Sequence, residues 1–591
     1  MKLNRVFSYL VLVVLLAGML AACAPAATPT PAAPAATQAP AQPAATAAPA
    51  ATVAPTAVPA TEAPTAAPAA TNGNTLVIAM NIDDVVTLDP AYAGETTNLF
   101  IHINTYDTLV DIRPGDLNTI VPRLAEKWDV NSDFTEFTFH LRKDAKFASG
   151  NPVTAADVVF SWNRLLNVAG APAFNLDGVG KVEAVDDYTV KVSTSVDKAT
   201  GKAQPLPQFL ASASNPSLGI QDSKLVKQHG GTDAADAKTT DKAKEWMDQN
   251  SAGSGPFILT KWAPKAEIDL VANKNYFKGA PKFDKVVITH VSDPTTKLQM
   301  LQKGDADMID SLSTDLVDTA KADPNVQVSV DQSLDENYLA MAYACPDAIK
   351  AKDPAKFATL QSPDSFAIIC KKEVRQAIAL GIDYEGITKA VLNGYGARAP
   401  SIIPIGILGV DPTKTQGRDV AKAKALLATA GYPNGATIDL YYASNSTRDT
   451  VAAKIKSDLA EIGLTVNLKP LEQSVYLTQM RAQQLPMAFG GWTPDYLDVT
   501  MWSDYFGLGD RSIAFRMRFD NKAAHDLAVT IRTTSDPAIR KDATEKLQAI
   551  FIEEMPFTML YQVQYVHAFS KDLKGFAFHP VWFVDLFSLS K

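Results

Sequence analysis

Only three of the 591 residues are cysteine and seven are histidine. The histidines, at 102, 140, 229, 290, 525, 567 and 579, lie far apart, and none pairs with another His or Cys at metal-ligand spacing. Neither a protein-built transition-metal site nor a cofactor is expected. Catalytic signatures are missing as well: there is no Gly-x-Ser-x-Gly elbow and no His-Glu-x-x-His helix. Positive charge is in short supply, with 55 Lys and Arg against 64 Asp and Glu for a formal charge of −9. Such a surface repels phosphate backbones, which argues against nucleic acid as a partner.

What is present begins with a leader. Lys2 and Arg5 precede an uncharged stretch, 6–22, with the basic and apolar regions read by a secretion machinery. A transmembrane anchor is the alternative, but the stretch is slightly short of the ~20 residues needed to span. It also runs into Leu20-Ala21-Ala22-Cys23, which resembles the bacterial lipoprotein processing box. That resemblance implies cleavage of a signal peptide, 1–22, and a diacylglycerol on the Cys23 thiol. Acyl chains contribute roughly 0.8 kcal/mol per buried methylene, enough for stable attachment with several chains. From Ala24 to Gly73 the sequence is almost wholly Ala, Pro and Thr, with eleven prolines and one charge, Glu62. So little apolar bulk reads as a disordered spacer. At about 3.1 Å per residue in polyproline-like form, it reaches at most on the order of 150 Å from the lipid.

Globular patterning starts at Thr75–Met80, a buried-strand run, and continues in the alternating Phe134–Leu141. Val182 to Val192 reads as a hairpin around Asp186-Asp187. Thr154 with Asp157, and Ser446 with Asp449, are placed to cap helices, the second of which Gly463 would end. Ile438–Ala443, that helix and Leu464–Leu468 form a βαβ unit, which forces a parallel pair. The class is therefore α/β. The Lys- and Asp-rich stretch 215–254 reads as a solvated excursion with a short helix around Asp241 to Asn250. With 47% apolar residues, the chain exceeds what one core organises, so at least two lobes are expected. In the oxidising conditions outside the cytoplasm, Cys345 and Cys370 are expected to pair. Closing their loop of about 25 residues contributes roughly 3 kcal/mol in the chain-entropy model.

A resemblance then becomes specific. Leu88-Asp-Pro90, Tyr106-Asp-Thr-Leu-Val110, Pro122-x-Leu-Ala-Glu-x-Trp128, Thr138-Phe-x-Leu-Arg142, Phe147-x-x-Gly150 and Thr154-Ala-x-Asp-Val158 stand in fixed order. Gly253-x-Gly-Pro-Phe257, Asn275-Tyr276, Gly304-x-Ala-Asp307 and Val374-Arg-Gln-Ala-Ile378 with Ile382-Asp383 follow. From Thr75 onward the chain resembles the bacterial dipeptide-, oligopeptide- and nickel-binding receptors of ABC transporters, solute-binding protein family 5. The glycines at 253 and 255 are not a phosphate loop, since no Gly-Lys-Ser/Thr follows and Pro256 lacks an amide donor. A tight turn feeding a strand is the better reading.

The segment Gly490-Gly491-Trp492-Thr493-Pro494-Asp495-Tyr496 resembles the family's Gly-Trp-x-x-Asp motif beside the ligand. The resemblance implies that Asp495 salt-bridges a ligand's α-amino group, through a charge-assisted hydrogen bond. Trp492 would supply an amphipathic wall, while Gly491 and the Thr493 carbonyl would pair with an extended ligand as a strand does. The bland alternative makes Trp492 core and Asp495 the cap of a turn at Pro494. Leu497-Asp498-Val499 departs from the Pro-Asp-Pro stretch that many members carry.

The resemblance implies a two-lobed periplasmic-binding-protein clamshell with mixed sheets and an extra subdomain. Lobe one is expected over 74–330 and 555–591, with the subdomain at about 120–250, and lobe two over 331–554. It implies the extracytoplasmic, lipid-anchored substrate-binding subunit of an ABC importer, a monomer that closes on a solute and docks on the permease. A di- or oligopeptide is the expected solute, with an oligosaccharide or nickel complex as alternatives. A secreted hydrolase is the rival class, because a glycosidase needs only two facing carboxylates. No catalytic residue is assigned.

Overall fold

The computed structural model describes residues 74–591 except Arg511; the leader, Cys23 and the Ala/Pro/Thr-rich spacer lie outside the described residues. The body is built on one mixed sheet. Its strands are β1 (Thr75–Met80), β2 (Phe257–Ala263), β3 (Glu267–Ala272), β4 (Lys285–His290), β5 (Met308–Ile309), β6 (Val326–Met341), β7 (Ala436–Ala443), β8 (Leu464–Leu471), β9 (Met487–Trp492) and β10 (Phe557–Ser570). They lie in the order β8-β7-β9-β6-β10-β5-β1-β4-β3-β2, and an eleventh, two-residue strand, Gly396–Ala397, pairs with β10 off this path. The run Thr437–Tyr442 pairs in parallel with Thr465–Pro470, joined by the helix Ser446–Glu461, as the βαβ pattern requires. Burial follows position: central β7 is buried almost throughout, while edge strand β8 turns Leu464 and Val466 inward and leaves Thr465 and Asn467 out.

Two strands run far longer than their neighbours, β6 with 16 residues and β10 with 14. Val326–Gln332 pairs with Gln564–Ser570, and beyond an irregularity at 332–336 the register resumes with Glu336 opposite Gln562. The first part of the pair continues through β5 into β1 and β4. The later part continues through β9 into β7 and β8. One half is thus filled by Leu76, Ile78, Leu270 and Ile288, the other by Ile438, Leu440, Ile455 and Phe489. The 330/331 division expected from sequence falls inside β6, and the tail after β10 returns to the first half. There Asn104 Nδ2 donates to Val584 O at 3.1 Å and accepts at Oδ1 from Leu586 N at 2.8 Å.

Attached to the first half is a four-stranded antiparallel sheet, Ala125–Val130, Glu136–Leu141, Thr189–Thr194 and Val179–Asp186. Its core holds Phe137, Phe139, Trp162 and Phe209 packed edge to face. The helix Ala155–Val168 starts where Asp157 Oδ2 accepts from Thr154 N at 2.9 Å.

Two expectations need correcting. The helix after β7 is capped by Asn445, whose Oδ1 accepts from Arg448 N at 2.9 Å; Ser446 is already helical, and Asp449 binds Ser444 Oγ instead. Nor is the stretch 215–254 merely a solvated excursion. Asp241 is wholly buried and grips Arg164 Nε at 2.8 Å, while Asp89 holds the same guanidinium at 2.6 Å, all three side chains at zero exposure. The glycines before β2 serve close approach: a Cβ on Gly255 would lie 2.7 Å from Tyr106 N. Cys345 and Cys370 are joined by a disulfide.

Candidate functional site

Between the halves runs the segment that leaves the end of β9. Trp492, Gly491 and Gly490 pair with Glu336, Asn337 and Tyr338 of β6. On its other side β9 meets β7 only at Ala488 and Phe489, so the edge of 490–492 is open. Gly491 is exposed there. An unpaired strand edge is the structure that takes an extended ligand by main-chain hydrogen bonds.

Trp492 is half-buried. Its indole Nε1 donates inward to Met501 O at 3.0 Å and its ring rests on Tyr505 at 4.7 Å, which fixes it against the helix Thr500–Gly507. Thr493 is exposed and its hydroxyl reaches Asp335, a half-buried carboxyl that also accepts from Tyr565 and whose pKa desolvation raises. Asp498, at the departure from the family pattern, anchors the loop: it accepts from Thr500 N at 2.9 Å and clasps Arg540 at 2.6 and 3.0 Å.

Asp495 lies between these supports, half-buried, and burial pushes its carboxyl up to about 6. No cation among the described residues forms an ion pair with it. The Asp495 main-chain O accepts from Asn215 Nδ2 at 2.6 Å, a contact from the subdomain of the first half. A partly desolvated carboxyl that lacks a cation lowers its free energy by acquiring one.

At the other end of the open edge stands Arg448, in the first turn of the helix after β7. A Cβ on Gly491 would sit 3.7 Å from its Nη2, and the guanidinium lies 5.6 Å from the Phe489 ring centre. No carboxylate among the described residues pairs with it. Its field, with that of Arg516, reaches the buried phenols of Tyr338 and Tyr476. The cleft is therefore dipolar, with a free anion at Asp495, a free cation at Arg448 and an open strand edge between. Four residues of extended chain separate Gly491 from Asp495, at most about 13 Å.

The motif placed Gly491, Trp492, Thr493 and Asp495 on one segment, and the structure places that segment at the end of β9 with Gly491 and Thr493 exposed and Trp492 and Asp495 half-buried. Arg448, Asn215 and Asp335 were missed. Arg448 carried one usable signal: it follows the carboxyl end of a parallel strand, where ligands of α/β sheets gather. Among the described residues no group of three His, Cys, Asp or Glu side chains is placed to hold a metal, and no helix is long and apolar enough to cross a membrane.

Residues 119–512, two-thirds of the chain, match the model for the middle region of the bacterial extracellular solute-binding proteins, family 5. The chain belongs to this family. A probable D,D-dipeptide-binding periplasmic protein of Escherichia coli, DdpA, is 29% identical over 505 residues, covering 84% of this chain and 90% of that protein. The dipeptide-binding protein DppE of Bacillus subtilis is 26% identical, covering 87% and 92%. Among solved structures, the periplasmic binding protein DppA of Helicobacter pylori in complex with the peptide STSA has a TM-score of 0.67 at 25% identity, covering 88% of this chain and 98% of that one. The family-5 solute-binding protein described here thus shares its two-lobed fold with receptors of ABC importers, and its relatives are binding proteins.

Proposed function

We propose that this solute-binding protein captures a di- or oligopeptide between its halves and presents it to a membrane permease. The reading rests on one observation: a half-buried Asp495 and a half-buried Arg448, both without a counter-ion, flank the open edge of Gly490–Trp492. A peptide zwitterion satisfies all three features. Its ammonium meets Asp495, its carboxylate meets Arg448, and its amide groups pair along Gly491 and the Thr493 carbonyl. Trp492, held by Met501, walls the site. A neutral oligosaccharide would leave both charges unpaired, and no turnover of the solute is expected.

Closure is a bend at the irregularity 332–336 of β6 and the facing part of β10, and binding energy selects the closed form. We assign lobe one to 74–330 with 555–591, lobe two to 331–554, and the lipid to Cys23. A Cys23→Ala chain is expected to lose acyl incorporation and leave the membrane fraction.

The deciding experiment is calorimetric titration of protein stripped of ligand by unfolding and refolding, with di- to pentapeptide pools and Asp495→Asn alongside. Tight binding that the variant loses supports the amine anchor. Absence of binding to every pool sinks the peptide reading.

A further inference from the structure

Beside Thr493, on the side of the first half, lies a cavity of about 150 Å³. A space of that order accepts one six-membered ring. Its apolar walls are Met80, Phe578 and Phe583, and the peptide anchors Asp495 and Arg448 take no part in it.

The two carboxyls that line it already accept hydrogen bonds. Asp310 accepts from Lys297 Nζ at 2.6 Å. Asp335 is held by the Tyr565 and Thr493 hydroxyls.

Two histidine rings remain: that of His579, whose Nδ1 accepts from Val581 N at 3.2 Å so that Nε2 carries the proton, and that of His567. His567, on the same face of β10 as Tyr565, lines the cavity with 1% exposure. Its ring packs against Phe578 at 4.8 Å and against Phe576 and Phe583 at 5.3 Å each. Its Nδ1 lies 2.9 Å from Asp331 Oδ2, which also accepts from Ser329 Oγ at 2.7 Å. A carboxylate only accepts, so Nδ1 carries a proton, and in the neutral ring Nε2 then presents a lone pair. No hydrogen-bond donor among the described residues is bound to that Nε2.

We propose that this cavity is a side-chain subsite selecting an aromatic ring that carries a hydrogen-bond donor, a phenol, with His567 Nε2 as the acceptor. It rests on the peptide reading and adds a preference to it. Aromatic walls favour the ring by edge and offset contacts, and the buried lone pair favours the ring that donates.

The test is calorimetry on the purified protein with dipeptides of alanine and tyrosine, O-methyltyrosine or phenylalanine, the ring in either position. Tyrosine peptides are expected to bind roughly three- to tenfold tighter than their phenylalanine and O-methyltyrosine counterparts. In His567→Phe that advantage should vanish, while the ligand series on the unaltered protein stands whether or not the variant folds. Equal affinities across the series, or a tyrosine preference that survives His567→Phe, would overturn the subsite and leave the peptide reading intact. If no peptide binds, the peptide reading fails and the subsite with it.

Discussion

Asn215 Nδ2 donates to the main-chain carbonyl of Asp495 at 2.6 Å, across 280 residues of sequence and across the cleft. The same side chain accepts from Ser217 N at 2.9 Å, so it is fixed from behind before it reaches forward. The contact bridges the two halves, so under the proposed closure it forms with the closed state. Asn215→Asp keeps the acceptor toward Ser217 and loses the donor toward Asp495. Ligand affinity is expected to fall roughly three- to tenfold in calorimetry with little change in Tm, because one hydrogen bond of the closed state is lost.

Asp495 sets a pH dependence. Its carboxyl is raised from 3.8 to about 6, so between those values the folded protein binds more protons than the unfolded chain. Ligand-free stability therefore declines as pH rises through about 6. Binding of an ammonium group runs the other way, because it requires the ionised form. Affinity is expected to drop about tenfold per unit below pH 6, and titrations at pH 5, 6 and 7 check it. Asp495→Asn should flatten that profile and stabilise the ligand-free protein at pH 7.

Arg448 should read the other end of the ligand. Arg448→Met retains much of the stem and loses the charge. Peptides with a free carboxylate are expected to lose about 1.5–3 kcal/mol of binding, while their C-terminal amides change little. Comparing acid and amide forms on both proteins separates this role from a general loss of packing.

The buried triad is a stability matter. Arg164 holds Asp89 and Asp241 with no exposure on any of the three. Asp241→Ala leaves a buried guanidinium half-neutralised, and a loss of about 3–5 kcal/mol in denaturant unfolding is expected. Peptide affinity of the folded fraction should stay unchanged.

Much of this architecture was legible because it is written locally. The apolar run of β1, the alternation in Glu136–Leu141, the Thr154 cap and the βαβ unit each need only neighbouring residues to declare themselves. Asp241 could not be read that way: an aspartate among lysines looks solvated until Arg164 arrives from 77 residues away. Asn445 displaced Ser446 as the cap by one position, since its side-chain carbonyl reaches Arg448 N directly. The site divides likewise. The Gly-Trp-x-x-Asp segment is contiguous and was found, whereas Arg448, Asn215 and Asp335 converge on it only through tertiary packing.

The return of the chain's last residues to the first half has a consequence for the order of events during export. Asn104 is bound by Val584 and Leu586, 480 and 482 residues later, and the core of Leu76 and Ile78 is completed by Val584, Leu586 and Leu589. A chain that crosses the membrane with its N-terminus leading delivers the opening strands of this half first and their closing partners last. The second half, contained between β6 and β10, has its helices and sheet in hand earlier. The first half, although made first, must be the last to finish, and a chain stalled short of Val584 would hold its oldest apolar surface uncovered.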